Sequence, residues 1–505
     1  MSARFTRRQL LKGGLAASAA MVVAGFDPRR RSWVTAAEAN PGAPLLQVPP
    51  LDGVLQTDAA STDAFSGDFG RLISRRPRAV LEPGSIDDIA TMVRFARHHR
   101  LTVAVNGQAG TDDLRESHSS YGQALVGDAG IAIDPKPLAQ IYSITEGVAD
   151  VGAGAQWDDV FNAAIATGQT PAMLTDFLHL SVGGTLSIGG TGGTMQKHGA
   201  QVDNVLEVTV VTGRGDVVTA SPTAHRGLFS AVLGGAGQCA ILVRVKLRLV
   251  PAKTHVRLFS LFYDDLATYL ADQETVLADG RFSYQEGQIV RRPDNTGWQY
   301  MIEAAAYFTP PAVPDDAALL AGLRDDRAAA RIETQTYREH AFRVDPLLAI
   351  LKLIGRWGAP HPWLDVFIPA SRTAEIVQGL VDRLEPDNVG TGVLLLYPFD
   401  TRKLSLPLFR VPDEPVAYQL SLLRFPPPGD PDIVATMLAL NRRLFDEITA
   451  VGGKRYLNGA VPDLTRRDWH RHYQPEWGFL VRQKRHFDPD NVLTPGQGIF
   501  RRRHH

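Results

Sequence analysis

A single cysteine, Cys239, stands in 505 residues, so no disulfide can form within the protein and no thiolate metal cluster can be assembled. Its setting, GGAGQCAILV, is apolar, and the residue reads as a small buried core side chain. Excess charge is lacking too. Lysine and arginine total 53 against 54 aspartates and glutamates, a formal net charge of -1, which gives no bulk attraction to nucleic acid or to an anionic membrane. The 14 histidines are scattered, with no His-Glu-x-x-His or comparable ligand spacing, so no metal site is expected. Neither a Gly-x-Gly-x-x-Gly between strand and helix nor a phosphate loop ending in Gly-Lys-Ser/Thr occurs, which disfavours a nicotinamide enzyme and a nucleoside triphosphatase. No repeat or heptad pattern is evident. What remains, at 44% hydrophobic and 21% charged residues, is the composition of a globular protein with an ample core.

A long hydrophobic run is also missing. The apolar stretch Gly13 to Phe26 is about 14 residues, short of the roughly 20 a membrane helix needs, so no stable membrane insertion is expected. Arg4, Arg7, Arg8 and Lys12 precede it, and the Arg7-Arg8 pair before Gln-Leu-Leu-Lys reads as a twin-arginine export signal spanning 1–39, with a small-residue cleavage site in AAEA at Ala39. The expected location is periplasmic or secreted. That route carries folded proteins, which suits a protein that takes up a cofactor before leaving the cytoplasm.

After a linker and N-terminal segment (40–69), RAVLEP reads as a strand and SIDDIATMVRFARHHR as an amphipathic helix. Ser85 caps that helix three residues before Asp88, and Ile86, Ile89, Val93 and Ala96 form its apolar face. LTVAV is a strand, GIAID another, and VLEVTVVTGRGDVVTA a hairpin turning at TGRGD. From about 251 the pattern changes to strands mixed with amphipathic helices, DDLATYLADQETVLADG and DIVATMLALNRRLFDEITAVGG, with proline-rich breaks, which points to a second domain.

Three features carry chemistry. The run HLSVGGTLSIGGTGGT holds Gly183, Gly184, Gly189, Gly190, Gly192 and Gly193; removing Cβ atoms lets backbone approach a planar or phosphorylated ligand, although tight turns in a β-rich region explain it equally well. Asp176 in PAMLTDFLHL and Glu303 in WQYMIEAAAYF are carboxylates in apolar settings, where a group must be paired or hold its proton to higher pH, as suits a general base or a substrate-binding group.

These residues add up to a family. The block from FLHLSVGGTLSIGGTGGTMQKHGAQVDN to VRVKLRLVPA resembles the flavin-binding half of cytokinin dehydrogenases, within the vanillyl-alcohol-oxidase type of FAD-linked oxidases. FSYQEGQIV, HPWLDVFIP, LLLYPFD, KRYLNG and FDPDNVLTPGQGIF resemble that family's later blocks in the same order. The resemblance implies an α+β protein: a PCMH-type FAD-binding domain of two α+β subdomains (70–250), an antiparallel-sheet substrate domain covered by helices (251–440), and a segment returning to the FAD domain (441–505).

It also implies roles. FAD is the cofactor, tethered in this family through a histidine that matches His118. Here Asn106 replaces the family's arginine, Ser117 its glycine, and Ala109 to Glu116 look inserted. The other cofactor positions are Gly107, Gln108, Ser119, Gln123, Thr175, Asp176, Gly183, Gly184, Ser187, Gly190 and Gln497. Asp176 matches the catalytic aspartate and Glu303 a substrate-contacting glutamate assigned a catalytic part. Trp363, Leu364, Asp365 and Leu457 match substrate-lining positions, with Asp365 where plant members carry asparagine and Asn458 in place of a proline. The implied reaction acts on an N6-alkylated adenine and oxidises the bond between N6 and its alkyl substituent to an imine, with oxygen or a quinone-like compound as final acceptor. The alternatives are oxidation of another amine, an alcohol or a sugar on the same scaffold, and an exported non-catalytic binding protein.

Overall fold

The computed structural model describes residues 23–27, 32–35, 46–109, 116–117, 119–127, 129–385 and 389–500. Its first unit grows from the expected strand–helix–strand pattern. The helix Ile86–His98 begins where the Ser85 hydroxyl accepts from the Asp88 amide at 3.3 Å, and it buries Ile89, Val93 and Ala96. Asp88 reaches back to accept from the amides of Asp52, Gly53 and Gly84 at 2.7 to 2.8 Å. One carboxylate so ties the segment that precedes the sheet to the positive end of the helix. Beside the helix, strand Ala79–Glu82 pairs antiparallel with Val54–Gln56 and parallel with Gly130–Ile133, which pairs parallel with Thr102–Val105.

A distant segment finishes this unit. Val103 donates to Val492 O and accepts from the Thr494 amide, both at 2.8 Å, and Val492 and Leu493 are buried in the same core. A buried ion pair fixes the turn before them. Lys484 Nζ meets Asp488 at 2.6 Å, and the Asp488 oxygens accept from the amides of Val492 and Leu493 at 2.9 Å.

The second unit is an antiparallel sheet ordered Ile141–Thr145, Val148–Gly152, Ala240–Pro251, Val205–Thr212, Val217–Ala220, with Gln169–Pro171 on the free part of the long strand. The hairpin from Val205 to Ala220 forms as read from the sequence. The glycine run, read from the sequence either as a ligand-facing stretch or as tight turns, begins with a short helix, Val182–Ile188. Turns follow at Gly189 and Gly190, both with positive φ. Gly190 tolerates no Cβ, which would overlap Gln201. Cys239 is fully buried here, and burial pushes its thiol up to about 12, the inert state expected for it.

The third unit is an eight-stranded antiparallel sheet, in order Arg331–Thr336, His255–Tyr263, Trp298–Phe308, Tyr284–Arg291, Val393–Asp400, Val416–Leu423, Leu364–Pro369, Lys454–Arg455. Side chains alternate along each strand. Ile302, Leu394, Leu396, Leu420, Leu364 and Val366 face a core built with the helices Leu266–Asp279, Ala370–Val381 and Pro431–Ala450. The opposite face turns toward the first two units. Pro431–Ala450 runs unbroken through the boundary expected at 440, because its buried side chains belong to the core of this sheet. Among the described residues no helix is long and apolar enough to cross a membrane.

Candidate active site

Between the eight-stranded sheet and the other two units lies a cavity of about 1480 Å³, larger than the roughly 300–1,000 Å³ of most ligand pockets. The sheet contributes every second residue of its inner face: Glu286 and Gln288, Glu303, Leu395 and Tyr397, Gln419 and Ser421, and Asp365. This alternation separates two neighbours that the sequence put together. Asp365 faces the cavity, whereas Leu364 points into the helix-covered core, so Leu364 is not a cavity residue. Trp363, Leu457 and Asn458 are on the wall, and the Trp363 indole donates to Arg424 O at 3.1 Å.

On the opposite wall stand Gly107, Ser119, Gln123, Gly183, Gly184, Ser187 and Gln497. Here absent side chains matter. A Cβ on Gly107 would lie 2.6 Å from Ser181 Oγ, one on Gly184 2.8 Å from the same atom, and one on Gly183 3.0 Å from Ala153 Cβ. The wall is therefore backbone, hydroxyl and amide without charge, a surface suited to an extended dinucleotide whose phosphates a carboxylate would repel. Gly190 lies off this wall. Its amide donates to the Tyr456 hydroxyl at 3.2 Å, joining the glycine run to the segment beside Leu457.

His118 is outside the described residues, and so is the side chain of Gln108. The backbone on either side is informative. Gln108 pairs with Ser117 and Ala109 with Glu116 in an antiparallel ladder, so the backbone leaves and re-enters the cavity wall at one place. After it, Tyr121 and Gly122 take positive φ, and Asp68 holds this turn by accepting from the Gly122 amide at 2.6 Å. Burial pushes the Asp68 carboxyl up to about 6, with the Gly122 bond opposing.

At the sheet end of the cavity the two carboxylates singled out from the sequence meet on one cation that the sequence did not mark. Arg343 Nη2 donates to Asp176 Oδ1 at 2.5 Å and to the Tyr284 hydroxyl at 2.5 Å, and its Nε lies 3.5 Å from Glu303. Glu286, also unmarked, stands 4.0 Å from the same guanidinium, opposite Glu303 in the ladder between their strands. Burial raises Glu303 above the usual carboxylate range, Arg343 opposing and Asp176 adding. Burial raises Glu286 well above it, with Asp176 adding and Arg343 opposing. Glu286 could have been found by the criterion that found Glu303, a carboxylate inside a strand-like apolar segment. Arg343, in the irregular HAFRVDP, carries no such signal.

Two further groups complete the surroundings. His179 bridges Asp158 at 2.9 Å and Asp345 at 3.2 Å; burial works against its charge, but the two carboxylates outweigh burial and raise its pKa. Asp365, almost wholly buried, is pushed up to about 6 by burial, with Ser421, Arg455 and Asn458 opposing.

Two family profiles match separate parts of the sequence. Residues 77–221 match the family profile described as an FAD binding domain, and residues 292–500 match that of cytokinin dehydrogenase 1, FAD and cytokinin binding. An uncharacterized oxidoreductase in the fasciation locus of Rhodococcoides fascians is 35% identical over 88% of this chain and 99% of its own length. Cytokinin dehydrogenase 1 of Oryza sativa subsp. japonica is 34% identical over 92% of this chain and 96% of its own. Cytokinin dehydrogenase 4 of Arabidopsis thaliana is 32% identical over 89% and 93%. With a dinucleotide-sized cavity whose glycine wall fits FAD and relatives that align along nearly their whole length, the chain belongs to the cytokinin dehydrogenase family of FAD-dependent oxidoreductases.

Proposed function

We propose that the protein acts on N6-alkylated adenines, oxidising the bond between N6 and its alkyl substituent to an imine that water hydrolyses to adenine and an aldehyde. The observation that carries this reading is the meeting of Asp176 and Glu303 on Arg343, at the wall where the FAD half and the sheet share one cavity. Asp176 takes the proton from the substrate's secondary amine, a transfer that positioned carboxylates perform well. Glu303 keeps its proton to higher pH than a free carboxylate, and in that state donates a hydrogen bond to a purine ring nitrogen. Arg343 fixes the spacing of both groups. Gly107, Gly183, Gly184, Ser119, Gln123 and Gln497 hold the cofactor, which supplies acceptance of two electrons as hydride from the carbon beside the amine nitrogen. Trp363, Leu457 and Asp365 shape the slot for the alkyl group, and its exclusion of water protects the imine until release.

The flavin tether at His118 belongs to the same proposal, supported by the pairing of Gln108 with Ser117, which brackets the Ala109–Glu116 insertion. Export through the twin-arginine signal, and reoxidation by oxygen or a quinone-like acceptor, complete it. The test is spectral and kinetic. The purified protein should be yellow, keep its flavin after acid precipitation with the label mapping to His118, and turn over isopentenyl-adenine in preference to a panel of alcohols and sugars. Flavin released by acid removes the tether alone; preference for an alcohol or sugar overturns the substrate reading; a colourless protein that binds adenines but does not oxidise them leaves a binding protein.

A further inference from the structure

A second cavity, about 190 Å³, backs onto the aspartate of the first. Thr175, Asp176 and Arg343 belong to both walls, so the carboxylate and its guanidinium form the partition between them. Exposed Lys197 and Lys253 stand at the outer end. Between the lysines and the partition the lining is mostly apolar, with Pro171, Ala172, Leu174 and Val250, and carries a few polar groups. Thr170 and Tyr337 share a hydrogen bond of 3.2 Å, and Tyr284 accepts from Arg343. Two atoms have no partner among the described residues: Thr194 Oγ1 and His340 Nε2, both buried on this wall. The other imidazole nitrogen of His340 meets the Gln335 amide at 3.4 Å.

Buried polar atoms in native proteins are almost always hydrogen-bonded, to ordered water where no protein group is near. The cavity has room for several waters, and the two unpartnered atoms are seats for them. Burial, with Arg343 adding, holds His340 well below the usual histidine range, so the ring beside those seats is neutral.

Chemistry at Asp176 requires such a space. With cofactor and substrate in the large cavity, the face of Asp176 turned toward it is covered by the very amine it has deprotonated. The base must shed its proton before another turnover, and a route that does not pass the bound substrate is the small cavity on its other side.

We propose that the small cavity is the proton exit of the active site, carrying the proton from Asp176 through water seated on Thr194 and His340 to solvent between Lys197 and Lys253. The inference rests on the reading of Asp176 as the base. The substrate N–H bond breaks as the Asp176 O–H bond forms; that O–H then breaks as a cavity water takes the proton and another leaves for solvent. No electrons move in the second step and no co-reactant is needed.

The experiment follows a single turnover of the flavin-loaded protein by stopped flow, reading flavin reduction by absorbance and proton appearance with a pH indicator in weak buffer. Two variants alter only the small cavity: Thr194→Val removes a water seat at constant size, and Ala172→Leu fills space. In the unmodified protein the two signals should coincide. In both variants proton appearance should lag reduction by about threefold or more, with a larger solvent isotope effect on kcat and an unchanged KM. Coincident signals in both variants overturn the proposal. So does a crystal structure of the unmodified protein with no water on Thr194 Oγ1 or His340 Nε2, a readout independent of activity. Failure of the underlying reading looks different: Asp176→Asn would then release protons and turn over at the normal rate.

Discussion

One guanidinium stands among three carboxylates, Asp176, Glu286 and Glu303, and burial, with the neighbouring negative charge adding and Arg343 opposing, raises the two glutamates above the usual carboxylate range. Asp176, which touches the guanidinium directly at 2.5 Å, is the carboxylate proposed as the base. Asp176→Asn should lower kcat/KM by about 10²- to 10⁴-fold while the ratio of flavin to protein absorbance stays as it was. Asp365 makes a prediction about stability. Its carboxyl titrates near 6 in the folded protein against an ordinary 3.8. Between those values the folded state binds more protons, so stability falls as pH rises from about 4 to about 6 and stays low above. Asp365→Asn, which restores the amide of plant members, should add about 1–3 kcal/mol at pH 7 and almost nothing at pH 4, as urea melts at the two pH values would show. At this scale the sequence was readable where a charge interrupts an apolar pattern, as at Asp176 and Glu303. Arg343 was not readable: a cation in an irregular segment looks the same whether it faces water or three carboxylates.

Elements were legible where periodicity and caps agree. Ser85 and Asp88 start their helix in the structure as their spacing predicts, and the Val205 to Ala220 hairpin follows from alternation around a glycine turn. The glycine run was harder, because its residues serve close packing at distances no local pattern encodes. Val182–Ile188 is helical despite two glycines, held by packing of Val182 and Leu186 in the core. Gly193 packs against the ring of Tyr284, where a Cβ would overlap it, and accepts from the Gln285 amide at 2.9 Å. Gly193→Ala should therefore displace Tyr284 and release one partner of Arg343, costing about 1–3 kcal/mol and lowering kcat. Thermal melts and steady-state kinetics would read both. The same logic explains Leu364 and Asp365: adjacent letters in a motif face opposite sides once they lie in a strand.

For the whole molecule, the family resemblance carried by the order of the blocks implied an α+β protein with an antiparallel second half. The helix Pro431–Ala450 spans the boundary expected at 440, and its buried side chains pack on the eight-stranded sheet. The joint between halves was visible only as a resemblance, and in the structure it is the Lys484–Asp488 pair and the strand-like pairing of Val103 with Leu493. Asp488→Ala leaves Lys484 buried without its counter-charge and frees two amides. A loss of about 3–5 kcal/mol is expected, read as a shift of the urea midpoint, together with weaker flavin retention on gel filtration.

That joint sets an order of events. Domains ordinarily fold as units while the ribosome is still at work, the N-terminal one first. Here the parallel sheet of the FAD half lacks an edge partner until residues 488–494 have emerged, after the entire eight-stranded sheet has been translated. A product truncated before residue 488 is therefore expected to lose the flavin that the full-length protein keeps, so that yellow colour would serve as a record that translation passed the joint.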